Sequence, residues 1–133
     1  MISAAVLMIK KLCLTAILGA GAIIGCTPIM QSIPLRDLSE QEIKASNAVL
    51  MLSQAQLAGK KFSVLGSVEG ISCKRNRHDP SATRSDALFQ TRFWASKKNA
   101  NAIANVRCVQ NKDALEKGCL ETYTCTADAI RLE

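Results

Sequence analysis

Residues 119–127, CLETYTCTA, decide the fold of this chain. Threonine and tyrosine favour extended backbone, so this stretch predicts a β-strand with a cysteine at its start and another near its end. Six residues of strand separate two Cα atoms by about 20 Å, far beyond the reach of a disulfide. Cys119 and Cys125 therefore cannot pair with each other and must find partners elsewhere in the chain.

The number of cysteines indicates an exported protein. Cys13 lies in an apolar N-terminal segment and Cys26 directly follows it. Four thiols remain in the rest of the chain: Cys73, Cys108, Cys119 and Cys125. An even number of cysteines in a short exported chain predicts two disulfides.

Two disulfide connectivities are compatible with this strand. Excluding the pair 119–125 also excludes the pair 73–108, because that pair would leave 119 and 125 only each other as partners. The chain can then join 73 to 119 and 108 to 125, or 73 to 125 and 108 to 119. Spacing alone leaves both open, and 108–119 would close a hairpin because those residues flank a loop.

The N-terminal residues have the pattern of a secretory signal peptide. Lys10 and Lys11 precede an apolar run over residues 12–24, and Gly25 follows it. A basic segment, a short apolar segment and a small residue before the cleavage point are typical of such signals. The run with its glycine has 14 residues, fewer than the roughly 18 that span a bilayer. We expect residues 1–25 to be removed, whether translation starts at Met1 or at Met8.

Residues 23–26, IIGC, resemble the bacterial lipobox, in which the cysteine is acylated and the chain is cut just before it. The resemblance implies cleavage between Gly25 and Cys26. It also implies a diacylglycerol and acyl chains such as palmitate on Cys26. The alternatives are an ordinary signal with a chance cysteine, and an uncleaved anchor. The abrupt break at residues 26–28, CTP, disfavours the anchor.

Charge and length are typical of one small domain. The chain has 17 basic and 11 acidic residues, a formal net charge of +6. Cleavage removes Lys10 and Lys11, which leaves 15 − 11 = +4. This mild basicity, together with export, argues against nucleic acid as a partner. We assign residues 26–46 to a lipidated N-terminus and tether of at most about 70 Å, and residues 47–133 to a single domain.

The order of elements predicts an α+β fold. Expected strands cover residues 48–52, 62–68, 102–109 and 119–127, one helical turn covers 54–58, and the main helix covers 83–100. Ser53 and Ser81 are the expected helix caps, and Asn99 to Asn101 can supply the turn out of the main helix. These elements make a small sheet of three to four strands with one main helix packed on one face.

Alternation of residue type predicts the inward face of the second strand. One set of alternate positions, expected to share the inward face, is Phe62, Val64, Gly66 and Val68, and the other is Ser63, Leu65, Ser67 and Glu69.

No set of residues points to catalysis. The single histidine, His78, lies beside Asp79, and cysteines in disulfides are poor metal ligands, so we expect a solvated loop histidine and no metal. No nucleophile, base and orienting group can be placed together, and no glycine loop suits phosphate. We predict that the protein is not an enzyme.

Basic and aromatic residues offer contact surfaces. A basic patch that contacts lipopolysaccharide phosphates or an acidic partner is one interpretation, and a solvated loop and helix face is the simpler one. The residues concerned are Lys74, Arg75, Arg77, Lys97 and Lys98. Of the neighbours Phe93 and Trp94, we expect one in the core and the other half-buried.

Several short motifs together resemble the RcsF family, the outer-membrane lipoprotein sensors of the Rcs envelope-stress phosphorelay. They are LAGKKF at 57–62, LGSVEG at 65–70 with Cys73 close behind, ASK at 95–97, ANA at 100–102, and Gly118-Cys119 with Cys125. The resemblance covers about residues 47–130, and the four cysteines match in order and nearly in spacing.

The resemblance implies the interleaved disulfides Cys73–Cys119 and Cys108–Cys125 on an α/β fold. It implies a lipid-anchored protein of the outer membrane whose domain faces the periplasm, and no cofactor besides the lipid on Cys26. Thr27 agrees with outer-membrane sorting, since an Asp there would suggest inner-membrane retention in enteric bacteria.

The partners implied are outer-membrane β-barrel proteins, their assembly machinery and the inner-membrane regulator of the phosphorelay. Well-known relatives have a longer, proline-rich tether, whereas this one has only Pro28 and Pro34. The alternative functions are a structural envelope lipoprotein and a small-ligand or metal-binding periplasmic module, both without a signalling role.

Peptide mapping without reduction tests the implied pairing. We expect fragments that join 73 to 119 and 108 to 125, and substitution of Cys108 or of Cys119 should each destabilise the fold. A fragment that joins 108 to 119 would contradict the pairing.

Overall fold

The computed structural model describes residues 32–112 and 118–133. In these ranges the chain forms three α-helices and four strands. The helices are α1 (Glu40–Ala48), α2 (Gln54–Leu57) and α3 (Arg84–Lys97), and the strands are β1 (Leu50–Met51), β2 (Phe62–Lys74), β3 (Ala102–Asn111) and β4 (Glu121–Leu132). None of these helices is long and apolar enough to cross a membrane. The predicted cleavage site at Gly25 and Cys26 lies outside the described residues.

The strands form one mixed sheet in the order β1-β3-β4-β2. β1 runs parallel to β3, while β4 is antiparallel to both of its neighbours. α3 packs on one face of this sheet, mainly over β2 and β4. The α+β fold class, with a small sheet, one main helix on one face and two disulfides, is therefore confirmed.

α1 folds a stretch that the sequence analysis assigned to the tether. Ser39 caps this helix and forms a capping box with Glu42, a motif that satisfies two backbone donors at a helix start. Farther up the chain, the Ile33 backbone donates to Gln90 Oε1 at 3.1 Å and accepts from Gln90 Nε2 at 2.6 Å. Among the described residues, the chain from Ile33 onward thus packs against α3 instead of extending away from the domain.

A β-bulge in β2 divides the strand between the two faces of the sheet. The register shifts between Val64, which pairs with Ile130, and Gly66, which pairs with Ala129. One extra residue in a strand moves the following side chains to the other face. The expectation of one inward face from Phe62 to Val68 is therefore wrong: Phe62 and Val64 are 41% and 61% exposed, whereas Val68 is buried.

Local hydrogen bonds set both ends of α3. Thr83 caps the helix by accepting from the Asp86 backbone, so the expected cap at Ser81 is wrong. At the other end, the Ala100 N–H donates to the Ala95 carbonyl oxygen, and Asn99 has a φ of 61°. This is a Schellman motif with Asn in the left-handed position. The expected turn at Asn99 is confirmed.

The backbone of α3 approaches the sheet closely at Gly70. A Cβ at this position would lie 2.2 Å from both the Ala87 carbonyl oxygen and the Thr91 backbone nitrogen. Both are backbone atoms of α3, which cannot rotate away as a side chain does. The Thr91 hydroxyl also lies 3.2 Å from the carbonyl oxygen of Cys125, the residue opposite Gly70. The depth at which α3 packs on the sheet therefore requires glycine here.

Replacing Gly70 with Ala should lower the free energy of unfolding by about 1–3 kcal/mol or more, because the helix must move away from the sheet. Denaturant unfolding with the disulfides intact measures this loss. Gly59→Ala is the control: Gly59 has a φ of +76° but nothing within 4 Å of the added Cβ, so only backbone strain of about 1–2 kcal/mol applies. A smaller loss for Gly70→Ala than for Gly59→Ala would contradict the close packing.

Candidate functional site

The disulfides join Cys73 to Cys119 and Cys108 to Cys125. The pairing that the family resemblance implied is confirmed, and the hairpin alternative of 108 with 119 is wrong. The strand bounds explain why 108 and 119 do not pair. β3 ends later than expected, at Asn111, and β4 begins later than expected, at Glu121, so Cys119 precedes β4. Cys108 instead lies directly opposite Cys125 in the ladder.

Each disulfide holds a different part of the domain. Cys125 is fully buried against Ala87 and Leu88 of α3, so its bond to Cys108 lies on the helix side of the sheet. The bond between Cys73 and Cys119 holds the chain that enters β4 to the end of β2. With sequence separations of 17 and 46, the chain-entropy model assigns them about 3 and 4 kcal/mol respectively. They make the sheet a rigid platform for any contact surface.

A small polar cluster attaches α1 to α3. Lys97 Nζ lies 2.6 Å from Glu42 Oε1 and 5.1 Å from the centre of the Phe93 ring. Glu42 also accepts from the backbone and hydroxyl of Ser39. The hydrogen bond from Lys97, followed by those from Ser39, lowers the pKa of Glu42 from 4.5 to about 2. The carboxylate is thus fixed in its charged form at neutral pH.

The five basic residues of the predicted patch do not come together. Lys74, Arg75 and Arg77 lie at the end of β2 and in the loop after it. Lys97 and Lys98 lie at the far end of α3, where Lys98 Nζ is 3.3 Å from the place of a Gly66 Cβ. Eight residues of strand separate Gly66 from Lys74, about 26 Å. The structure therefore offers two small basic regions, and Lys97 is partly neutralised by Glu42.

The loop after β2 has no features of a metal or catalytic centre. Asp79 Oδ2 accepts from the backbone nitrogens of Arg75 and Asn76 at 3.1 and 2.9 Å, so this carboxylate closes a turn. His78 is exposed in that turn. Across residues 32–112 and 118–133, no three His, Cys, Asp or Glu side chains are grouped so as to hold a metal ion.

The aromatic pair belongs to the core, as expected. Phe93 is buried and Trp94 half-buried, with their rings in an edge-on contact at 5.0 Å. Trp94 packs against the cluster that contains Val49 and Val68. Neither ring stands out as a binding anchor.

A second bulge lies in β3, where the register shifts between Ala104 and Arg107. Asn105 has a φ of 53°, which is rare for a residue other than glycine. Its amide donates to Asp128 at 2.7 Å and accepts from the side chain of Gln54. Shallow cavities of about 500 and 340 Å³ lie on either side of it. They are open and polar in part, and suit contact with another surface better than enclosure of a small molecule.

Sequence reasoning missed the apolar side chains exposed along this side of the sheet. Leu50, Met51 and Val109 are 54%, 51% and 65% exposed. In the sequence they belong to runs that look like buried strands. The apolar runs themselves give no signal that these side chains remain exposed.

These features define a class of protein: a small, disulfide-stabilised α+β domain with contact surfaces. Its described residues contain no catalytic constellation. The family model described as RcsF lipoprotein matches residues 29–133. The chain belongs to this family. No curated protein matches the chain.

The pKa of Glu42 predicts how acid acts on the attachment of α1. Because the folded pKa of about 2 is below 4.5, ionised Glu42 stabilises the fold fully above pH 4.5, and this contribution is lost as the pH falls to 2. Glu42→Gln can keep the capping box but lacks the charge. We expect it to be less stable than wild type at pH 7 and similar to it near pH 2.

Chemical denaturation at a series of pH values measures this difference. Glu40→Gln is the matched control, since it removes the same charge from the same helix turn, and among the described residues Glu40 forms no ion pair. A gap between wild type and Glu42→Gln that stays constant from pH 7 to pH 2 would contradict the role of the charge.

Proposed function

We propose that this protein is an outer-membrane lipoprotein that senses envelope stress and signals to the inner-membrane regulator of the Rcs phosphorelay by direct protein contact. The match of the RcsF lipoprotein family to residues 29–133 carries this proposal. The interleaved disulfides and the α+β fold agree with what the resemblance implied for that family.

The form of the domain supports signalling by contact. Two disulfides and a helix packed directly on the sheet make a rigid body with exposed strand edges. A rigid surface binds a partner without first paying the entropy of ordering itself. The outer-membrane β-barrel proteins and their assembly machinery are the partners that we propose on the anchored side, and the regulator is the one we propose across the periplasm.

The proposed lipid on Cys26 places the domain close to its membrane. Among the residues that the structure describes, Ile33 is the first with a hydrogen bond to the body of the domain, through Gln90. The chain from Cys26 to Ile33 spans at most about 25 Å even when fully extended. A regulator anchored in the inner membrane must therefore reach across most of the periplasm, or the anchoring contacts of α1 must release.

Deletion of the gene tests the signalling role. In a strain with a capsule or envelope-stress reporter, damage to lipopolysaccharide should induce the reporter in wild type and fail to do so in the deletion. Reintroduced wild-type protein should restore induction, whereas Cys26→Ser, which cannot take the lipid, should be mislocalised and alter the response. An unchanged reporter response in the deletion would leave a structural envelope lipoprotein as the better explanation.

A further inference from the structure

Within residues 32–112 and 118–133, another strand pairs with only a small part of the outer edge of β3. β1 aligns Leu50 with Ala102 and Met51 with Ile103, and the backbone of Leu52 adds one further bond to Ile103. The chain then leaves the sheet and forms α2, whose Gln54 side chain donates to Asn105. In the part of the chain that the structure describes, residues 104–111 have β4 on one side and no strand on the other. We call residues 104–111 the β3 edge.

Backbone groups on the β3 edge point outward. The Cα atoms of Cys108 and Cys125 are 4.1 Å apart, which marks a pair that does not exchange hydrogen bonds in an antiparallel ladder. The N–H and C=O groups of Cys108 therefore point away from β4. Because this direction alternates along a strand, those of Gln110 do the same. The β3 edge therefore presents backbone hydrogen-bond donors and acceptors at every second residue, which is the spacing that a neighbouring strand needs.

An open space lies where a longer β1 would continue. The cavity of about 340 Å³ is bounded by residues of β1 and α2 and, across from them, by Asn105 and Val106. Val109 is 65% exposed farther along the edge. An added strand that enters this cavity and follows the β3 edge would cover both the apolar side chains and the outward backbone groups.

The β3 edge lacks the features that usually protect such strands. Exposed edges are commonly blocked by prolines and charged side chains. β3 contains no proline, and Arg107 is its only charged residue. β2, at the opposite edge, contains Glu69 and Lys74 and begins just after Lys60 and Lys61. The one charge on β3 is positive, exposed and in no ion pair among the described residues.

We propose that the β3 edge binds an extended segment of a partner protein as an added strand, with a carboxylate side chain of that segment opposite Arg107. Backbone hydrogen bonds supply the affinity in this mode, and side-chain contacts supply the specificity. The inference rests on the proposed function, because signalling by contact requires a partner, and it names the surface and the chemistry of that contact.

Crosslinking in live cells with the full chain tests the added strand. A photoreactive amino acid is placed in turn at positions 107, 109 and 111, with Val64 at the opposite edge as the control position. Mass spectrometry then locates the crosslinked residue in the partner. We expect the partner residue to move by about two for each two-residue step along β3, because paired strands stay in register.

Three results would overturn the proposal: no adduct from β3, adducts without this register, or adducts between two copies of this chain. One combination of results separates the two proposals. If the deletion strain keeps its stress response but the crosslinks follow the expected register, the proposed signalling function is wrong and the added strand is supported. If the response is lost and the register is absent, the function stands and the contact lies elsewhere.

Substitutions at the edge give a second test. Gln110→Pro removes an outward N–H that makes no bond to β4, whereas Gln110→Ala keeps it. We expect Gln110→Pro to reduce the crosslinking yield from position 109 at least several-fold, and Gln110→Ala to leave it unchanged, with both proteins folded by circular dichroism. Equal yields from the two variants would contradict strand addition.

The role of the Arg107 charge is tested separately. This test does not depend on whether the domain folds with a proline at position 110. Arg107→Glu should reduce the yield from position 109 several-fold by placing like charges together. Arg84→Glu, the same reversal at the exposed start of α3, should not. Equal crosslinking yields from the two charge reversals would contradict the proposal that a carboxylate of the partner lies opposite Arg107.

Discussion

The direct contact of the α3 backbone with Gly70 is the constraint on which the rest of the structure depends. The carbonyl oxygen of Ala87 and the nitrogen of Thr91 occupy the space that any side chain at Gly70 would need. This brings the helix close enough for the Thr91 hydroxyl to reach the carbonyl of Cys125. The α3 residues at this contact, Ala87 and Thr91, are small, and both are fully buried.

A consequence of this close packing is a core built largely from alanine. Alanines from α3, β3 and β4 are fully or almost fully buried, and the large apolar side chains buried in the described residues are few: Leu57, Leu88, Phe93, Ile103 and Ile130. Alanine buries little apolar area, and a domain of this size has a modest core to begin with. The two disulfides offset this deficit by restricting the unfolded chain, and Cys125 also fills part of the core beneath α3.

Element types and their order could be predicted from the sequence, but the positions where strands change register could not. Alternation of residue type identified β2, yet the bulge after Val64 puts Phe62 and Val64 on the opposite face from Val68. The predicted strands ended at 109 and began at 119, which made 108 and 119 look like neighbours across a hairpin. In the structure β3 runs to Asn111 and β4 begins at Glu121. The capping box at Ser39 was readable and would have revealed α1. The short β1 was not, because its length depends on where α2 turns away.

The position of α1 gives the proposed lipid anchor on Cys26 a mechanical role. α1 precedes Cys73, so it lies outside the chain segments that the disulfides close. A pulling force on the N-terminus acts first on the bonds between Ile33 and Gln90 and next on the ion pair between Glu42 and Lys97. Peeling residues 33–48 from the body would add up to about 55 Å of extended chain without opening the crosslinked sheet. Because β1 follows α1 directly, continued tension would strip β1 from β3 and extend the β3 edge toward Ala102.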